Sequence, residues 1–594
     1  MILSVKGKSD RTSERRITVK EKVMQGKPYA GNPHVRFDEG AGAPRHSGRS
    51  ALLYMNLKKT VFAAAAAVGV TVFAGQLKPK ALVIMLDGMR ADSVENTWAP
   101  NLRMLRDGAW QPGYKCAWSL TAHTIYDAIT VSRPNHTAIA TGVTSKKHTI
   151  KQNHKSTCDF KKWPSWLVRV ADAKPGTKGL FMYSWKWDEQ ISPDPRVKFI
   201  YGSDAGNAAN MPKILAAADA PDAVMWYIDW PDHGGHGFGY YPYTTGHLNT
   251  VYLSDKAIGD ALKAIASRPT FKDEDWMIIV TADHGGYWRT HGLWGGHCET
   301  IPFLVTGRNV SQGRIPGIPR NYDAAPTVLT HFGIDWSGFD LDGKVVGAEV
   351  VADAKRCLKD GLAVYLPFEG KTPVNAAKGA VVPEVFGKAS IVGRGGFIGG
   401  CMHFAAVTNA FTGLRLNGSE KLAFENGAEF AFAMWVRMPE AQNGDPVIVA
   451  NKDWNRGSNP GILVTGNKKI ESKKGGVCFN AGMGGSRSRI DVGPYDIEFG
   501  KWTFYAATRG PDGVLNFYQG GLDGYLYRIA FDAKEIKFAT GLPFCLGQDG
   551  TGKYPSAFNG DIDDFALWTR ALSHDDVRKI YEAGRQGLDL GCLL

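Results

Sequence analysis

Apolar residues come in two textures along the chain. Between about residues 80 and 350 they form short solid runs: Ala81 to Leu86, Gly179 to Tyr183, Ala223 to Ile228, Trp276 to Val280 and Ile301 to Val305. Each is too short for an independent helix and is bounded by turn residues, so each predicts a buried strand. Between them lie stretches of helical spacing, at Ala99 to Arg106, Trp163 to Ala173, Met211 to Ala218 and Leu248 to Ala266. Strand and helix in alternation predict an α/β fold, a mostly parallel sheet with helices on both faces. Past about Val350 the pattern changes to short alternating segments separated by Gly and Asn. They fall at Gly413 to Asn417, Phe430 to Met438, Pro446 to Asn451, Gly476 to Asn480, Trp502 to Ala507, Val514 to Gln519 and Gly560 to Trp568. Seven short strands with turns between them predict an antiparallel β-sandwich, closed by a helix over Asp575 to Ala583.

Polar residues with chemical potential gather where the first set of strands ends. Asp87 follows the first run, and Asp283, His284 and Gly285 follow Trp276 to Val280 closely. Asp232 and His236 lie in a Gly-rich segment, read as a loop, just beyond Ile228, and His291 stands seven residues after His284. The carboxyl rim of an open α/β sheet is where ligands bind, and Asp with His is an N/O donor set suited to zinc. Three carboxylates and three imidazoles suffice for two sites of three protein ligands, each with room for water or substrate. Ser132 opens a short helix framed by Pro134 and Gly142. A serine there is either a helix N-cap or, beside a metal, a hydroxyl that can attack phosphorus.

Composition alters this picture only at the start of the chain. The 594 residues carry a formal net charge of +12, which suggests a polyanion partner. About half of it, however, sits in residues 1–54, which hold eleven Lys or Arg against five Asp or Glu, and no nucleic-acid-binding motif stands out. That polar tail is expected to be disordered, and an upstream mis-assigned start would account for it. Residues 55–74 then read as a signal peptide: Lys58 and Lys59, a small-residue apolar run of about fifteen, and Val72-Phe73-Ala74 before the cleavage point. The run is too short for a stable membrane span. The expected location is secreted, periplasmic or at the cell surface. Eight cysteines with no CxxC pair exclude a zinc knuckle, and export makes disulfides an expectation.

Taken together, the motifs resemble the alkaline phosphatase superfamily, in its nucleotide pyrophosphatase/phosphodiesterase-like branch, over residues 79–350. The residues that carry the likeness are Leu86-Asp87-Gly88 with Arg90 and Asp92, Ser132-Arg133-Pro134-Asn135-His136 with Thr141-Gly142, Pro231-Asp232 with Gly235-His236, and Asp283-His284-Gly285. The resemblance implies that Asp87, Asp283 and His284 hold one Zn2+, which activates Ser132, and that Asp232, His236 and His291 hold the other. It also implies that Asn153, twenty-one residues after Ser132, meets a phosphoryl oxygen. His297 is the rival to His291. Arg133 stands where nucleotide-cleaving relatives commonly have an aromatic residue, and Asn135-His136 replaces the Ser-Arg of sulfatases.

Residues 355–594 resemble laminin-G/concanavalin A-like jelly-roll domains, through Phe432 to Val436 and the Phe558 to Trp568 segment with its closing helix. Such domains often bind glycans and some bind calcium, for which no contiguous ligand set stands out here. The implied protein is an exported two-metal hydrolase of small-molecule or glycan-linked phosphate esters, a phosphodiesterase acting through a covalent phosphoserine. The alternatives are a phosphomonoesterase or sulfate-ester hydrolase on the same site, and an inactive glycan-binding surface protein.

Overall fold

The computed structural model describes residues 77–594 apart from 155–156, 243, 293–295, 352–355, 406–409, 423–426, 441, 443, 468–475, 483–488, 493–498 and 557. The basic tail at 1–54 and the segment at 55–74 expected to be a signal peptide lie outside the described residues.

Eight strands build the first sheet: β1 (Lys78–Leu86), β2 (Lys115–His123), β3 (Gly179–Tyr183), β4 (Val197–Tyr201), β5 (Ala223–Ile228), β6 (Glu274–Ala282), β7 (Thr300–Gly307) and β8 (Gly313–Arg314). Their order is β4-β3-β5-β1-β6-β7-β2-β8, and only β7 runs against its neighbours. The expected mostly parallel, alkaline-phosphatase-like sheet is therefore present. The apolar runs become its strands because both faces are covered: Ala81 to Leu86 are fully buried, as are Ile278 to Val280. Register then sets up the site. Leu86 at the end of β1 lies opposite Ile228 of β5 on one side and Ala282 of β6 on the other. The next residue on each of these three adjacent strands is an aspartate, Asp87, Asp229 and Asp283.

One element differs from its sequence reading. Trp230–Phe238, expected to be a Gly-rich loop, is a helix starting after Asp229, with Pro231 in its first turn. Gly234 and Gly235 serve close packing and not turn formation. A Cβ on Gly235 would sit 2.3 Å from the Tyr240 ring, and one on Gly234 would sit 2.2 Å from the Thr250 hydroxyl. The helix places Asp232 and His236 four residues apart on one face.

The C-terminal part consists of two antiparallel sheets, of seven and eight strands, as a concanavalin-like sandwich requires. The Phe430–Arg437 strand shows how its sequence works. Phe430, Phe432, Met434 and Val436 enter the core between the sheets, while Ala431, Ala433 and Trp435 face a second cluster with Val577, Ile580 and Tyr581 of the closing helix His574–Arg585. Alternation here separates two buried faces instead of a wet one and a dry one.

The disulfide expectation is not met among the described cysteines: Cys116, Cys158, Cys298, Cys357, Cys401, Cys545 and Cys592 form none. The buried ones are spread over separate elements, Cys116 in β2, Cys401 in the Cys401–Phe404 strand and Cys545 in the Phe544–Leu546 strand. Their register partners, Thr306, Val392, Arg415 and Ala450, are not cysteines. Among the described residues no helix is long and apolar enough to cross a membrane.

Candidate active site

The three aspartates leaving β1, β5 and β6 lie among the imidazoles of His136, His284 and His291, with His236 at the exposed edge. His284 Nε2 lies 3.3 Å from Asp87 Oδ1 and 3.2 Å from Asp283 Oδ2. Next to this group, His236 Nε2 lies 3.4 Å from Asp232 Oδ2 and His291 Nε2 3.9 Å from Asp232 Oδ1. The His284 and His291 rings stack at 4.0 Å, so the two groups adjoin. The six residues expected as ligands lie near one another, but the donor groups that close up differ from the expected triads: Asp232 groups with His284 and His291, Asp87 and Asp283 group with His136, and His236 stands at the exposed edge. His291, not His297, faces the carboxylates, whereas the His297 ring packs on Tyr287 at 5.3 Å.

Ser132 is the first residue of the helix Ser132–Thr141 and not its cap. The N-cap is Val131, and no side-chain capping bond is made there. Its Oγ instead lies 3.4 Å from His284 Nε2. The Pro-Asn-His motif explains how the serine is held. Asn135, fully buried, donates to Val131 O and accepts from Ile125 N and Asn321 Nδ2, which fastens the turn entering the helix. Gly142 then closes the helix at φ 77°, where a β-carbon would be strained. Asn153 Oδ1 accepts from Arg133 N at 3.0 Å, placing it at the start of the same helix.

Sequence reasoning missed several participants. His136, fully buried, directs Nε2 to Asp283 Oδ2 at 3.2 Å and to Asp87 Oδ2 at 3.5 Å, and Nδ1 to Asp188 at 2.9 Å. Tyr227 donates to Asp87 Oδ2 at 2.6 Å, and Tyr240 donates to Asp232 Oδ1. Asp229 completes the row of strand-end aspartates. Two of these were within reach of the sequence, since His136 stands inside the quoted motif and Asp229 directly follows an apolar run. Asp188 had no local signal, because it meets His136 only in three dimensions.

The arrangement fits divalent metal. Three overlapping groups, Asp87/His136/Asp283, Asp232/His284/His291 and Asp87/Asp229/Asp232, bring donor atoms within 4.8 Å of one another. Asp87 Oδ1 is buried without a hydrogen-bond partner. Burial, followed by the neighbouring Asp87, Asp232 and Asp204 charges, pushes Asp229 up to about 9. The histidines also share a tautomeric logic. Nδ1 of His284 faces Gly285 O, that of His291 faces Thr130 O and that of His236 faces Arg289 O, while every Nε2 turns to the carboxylates. A ring that donates Nδ1–H outward presents its Nε2 lone pair inward, as a metal-binding imidazole does. Burial, followed by the adjacent His284, lowers His291 to about 4, whereas at His284 burial is outweighed by the Asp283, Asp87 and Asp232 charges, which raise it.

An α/β domain with a buried carboxylate–imidazole centre and a serine beside it defines the class. Comparison with known proteins finds family models that match two parts of the chain. The model of the Type I phosphodiesterase / nucleotide pyrophosphatase family matches residues 81–187 and 186–286, and that of the concanavalin A-like lectin/glucanases superfamily matches residues 411–578. The chain thus carries a phosphodiesterase/nucleotide pyrophosphatase domain followed by a concanavalin A-like domain. It is 25% identical over 235 residues to ectonucleotide pyrophosphatase/phosphodiesterase family member 3 of Bos taurus, a match covering 35% of this chain and 25% of that one. It is also 25% identical over 240 residues to bis(5'-adenosyl)-triphosphatase ENPP4 of Homo sapiens, over 35% of this chain and 48% of that one. The match thus spans a quarter to about half of these relatives. Among solved structures, a 2-O GAG sulfatase matches with a TM-score of 0.39 at 13% identity, over 58% of this chain and 86% of the other. Murine ectonucleotide pyrophosphatase/phosphodiesterase 5, an inactive variant bound to AMP, matches with a TM-score of 0.33 at 14% identity, over 44% and 100%.

The two histidine candidates separate in a simple test. His291→Ala should cut kcat/KM by at least about 100-fold, while His297→Ala, which removes a ring lying on Tyr287, should stay within roughly tenfold. Steady-state kinetics with added zinc would check this, and a larger loss for His297→Ala would transfer the ligand role to it.

Proposed function

We propose that this chain is an exported hydrolase of phosphate esters, a phosphodiesterase, with Ser132 as its nucleophile and two Zn2+ as cofactors. The single observation that carries the reading is the position of Ser132. It makes no helix-capping bond, and its hydroxyl stands 3.4 Å from an imidazole of the carboxylate cluster. Asp87, Asp283 and His284 would hold one ion, with His136 beside them, and Asp232, His236 and His291 would hold the other. Bound there, the ions would supply positive charge to the phosphate and lower the pKa of the attacking hydroxyl and water.

The chain's own groups do the rest. Ser132 Oγ attacks phosphorus in line, so that an O–P bond forms as the ester O–P bond breaks, and the alcohol leaves with a proton. Water then cleaves the phosphoserine, releasing phosphate or its monoester and restoring the hydroxyl. Asn153, whose Oδ1 is occupied by the Arg133 N–H, offers its Nδ2 amide to a phosphoryl oxygen, and the helix start lies alongside. Pinning by Asn135 holds Ser132 in one place through both steps. The sandwich domain is proposed to bind glycan and so keep the enzyme near its substrate, and export is supported by the signal-like segment at 55–74.

A substrate panel tests this reading: bis-aryl phosphate, aryl phosphate, aryl phosphonate and aryl sulfate with the full chain and zinc. The bis-aryl phosphate should have the highest kcat/KM, by about tenfold or more. A highest value for the sulfate would replace the proposal with a sulfatase.

A further inference from the structure

The sandwich does not merely follow the hydrolase domain in sequence. Its strand Leu526–Asp532 lies against two segments that leave the metal-ligand positions. The first is the helix Ala91–Asn96, which begins four residues after Asp87. There Asn96 Nδ2 donates to Leu526 O at 3.1 Å, and Glu95 pairs with Arg528 at 3.2 Å and with His574 at 3.1 Å. The second is the helix Gly296–Glu299, downstream of Asp283 and His284. It packs so closely that a Cβ on Gly296 would meet Ile529 at 3.0 Å, and the Gly285 N–H is bonded to Cys298 O at 2.8 Å. Between the two runs Arg90, which donates to Gly286 O at 2.9 Å and forks onto Asp92 at 2.9 and 2.6 Å. Arg90, Asp92, Glu95 and Arg528 are all buried, with side-chain exposures of 2%, 2%, 4% and 5%. Arg90, Asp92 and Glu95 leave the hydrolase side one negative charge in excess, and Arg528 supplies the opposite charge from the sandwich. Such a buried pair costs stability when one partner is removed, so the two domains are held in one arrangement.

We infer that the sandwich domain is a working part of the hydrolase site, with Arg528 and Glu95 as positioning residues that brace the segments carrying Asp87 and the Asp283–His284 pair. This rests on reading the carboxylate–imidazole cluster as the catalytic metal centre. Neither residue touches the cluster. Each acts by fixing the helix and the loop on which ligands are mounted, where a displacement of about 1 Å can cost roughly 100-fold in rate. A spacer or glycan-targeting module needs no such contact.

The test uses the full chain and compares Arg528→Met, Arg528→Lys and Arg314→Met. Arg314 pairs with Asp512 elsewhere on the same domain interface and serves as the control. Zinc affinity is read by competition with a chromophoric chelator, and kcat and KM are read on a bis-aryl phosphate. Arg528→Met should lower kcat at least about tenfold with KM within about threefold, and weaken zinc binding about tenfold. Arg528→Lys should recover most of both, and Arg314→Met should leave both within about twofold, since Arg314 lies on β8 at the sheet edge, away from the ligand-bearing ends of β1 and β6. The inference is overturned if folded Arg528→Met keeps kcat and zinc affinity within about twofold of wild type. It is also overturned if Arg314→Met loses as much, since domain separation in general would then be the cause. Should Arg528→Met fail to fold, Glu95→Gln replaces it with the same expected losses. A wild-type chain that binds zinc yet cleaves no ester would refute the hydrolase reading, while the zinc measurements would still decide the brace.

Discussion

Ser132→Ala should yield a folded protein that binds metal as the wild type does and has lost at least about 10³-fold in kcat. The stability side of this expectation follows from the helix. Losing a capping serine costs about 1 kcal/mol, but Val131 occupies the cap position and Ser132 makes no capping bond. Thermal melting should therefore show less than that cost. The rate side follows from the location of the hydroxyl, which is buried and faces His284 across 3.4 Å. Ser132→Thr should keep part of the activity, since the attacking oxygen remains in place. A variant with normal turnover would mean that water attacks the ester directly and that the serine only lines the site.

Asp283→Asn should have an effect of similar size by a different route. Asp283 Oδ1 accepts from Gly88 N at 3.0 Å and from His284 N at 2.7 Å, and an asparagine oxygen can accept both. The fold around β6 should survive, while one carboxylate charge is lost from the centre of the cluster. Metal analysis of dialysed protein should fall from about two zinc per chain to about one or fewer, with kcat/KM down at least about 10³-fold. Two zinc retained with full activity would remove Asp283 from the ligand set. One zinc in fully active wild-type protein would end the two-metal assignment.

The sequence made the centre of the fold legible for a simple reason. Strands buried on both faces are continuous apolar runs, and a charged residue ending such a run is conspicuous, as with Asp87 and Asp283. Strands of mixed character were not legible. β2 carries Trp118, Ser119 and Thr121 among small residues, and β4, Val197–Tyr201, alternates Lys198 with apolar neighbours at the sheet edge. The helix Trp230–Phe238 was hidden by Gly234, Gly235 and Gly237, because glycine weakens the helix signal and the need for the first two lies in Thr250 and Tyr240. In the site, Asp87 and Asp283 at legible strand ends were found, Asp229 at another such end was passed over, and partners supplied from a distance were missed. Asp188 reaches His136 across 52 positions of sequence and Arg528 reaches Glu95 across 433, separations at which no local pattern carries information.

The account stands on a covalent bond between Ser132 and phosphorus, and the most direct measurement is to capture it. The full chain with zinc is mixed with a bis-aryl phosphate, quenched in acid within the first turnover, digested and analysed by mass spectrometry. The account predicts phosphate or its aryl ester on the peptide containing Ser132, formed with the burst of released phenol and absent from Ser132→Ala. A burst of phenol with that peptide unmodified, or label on any other residue, would contradict it.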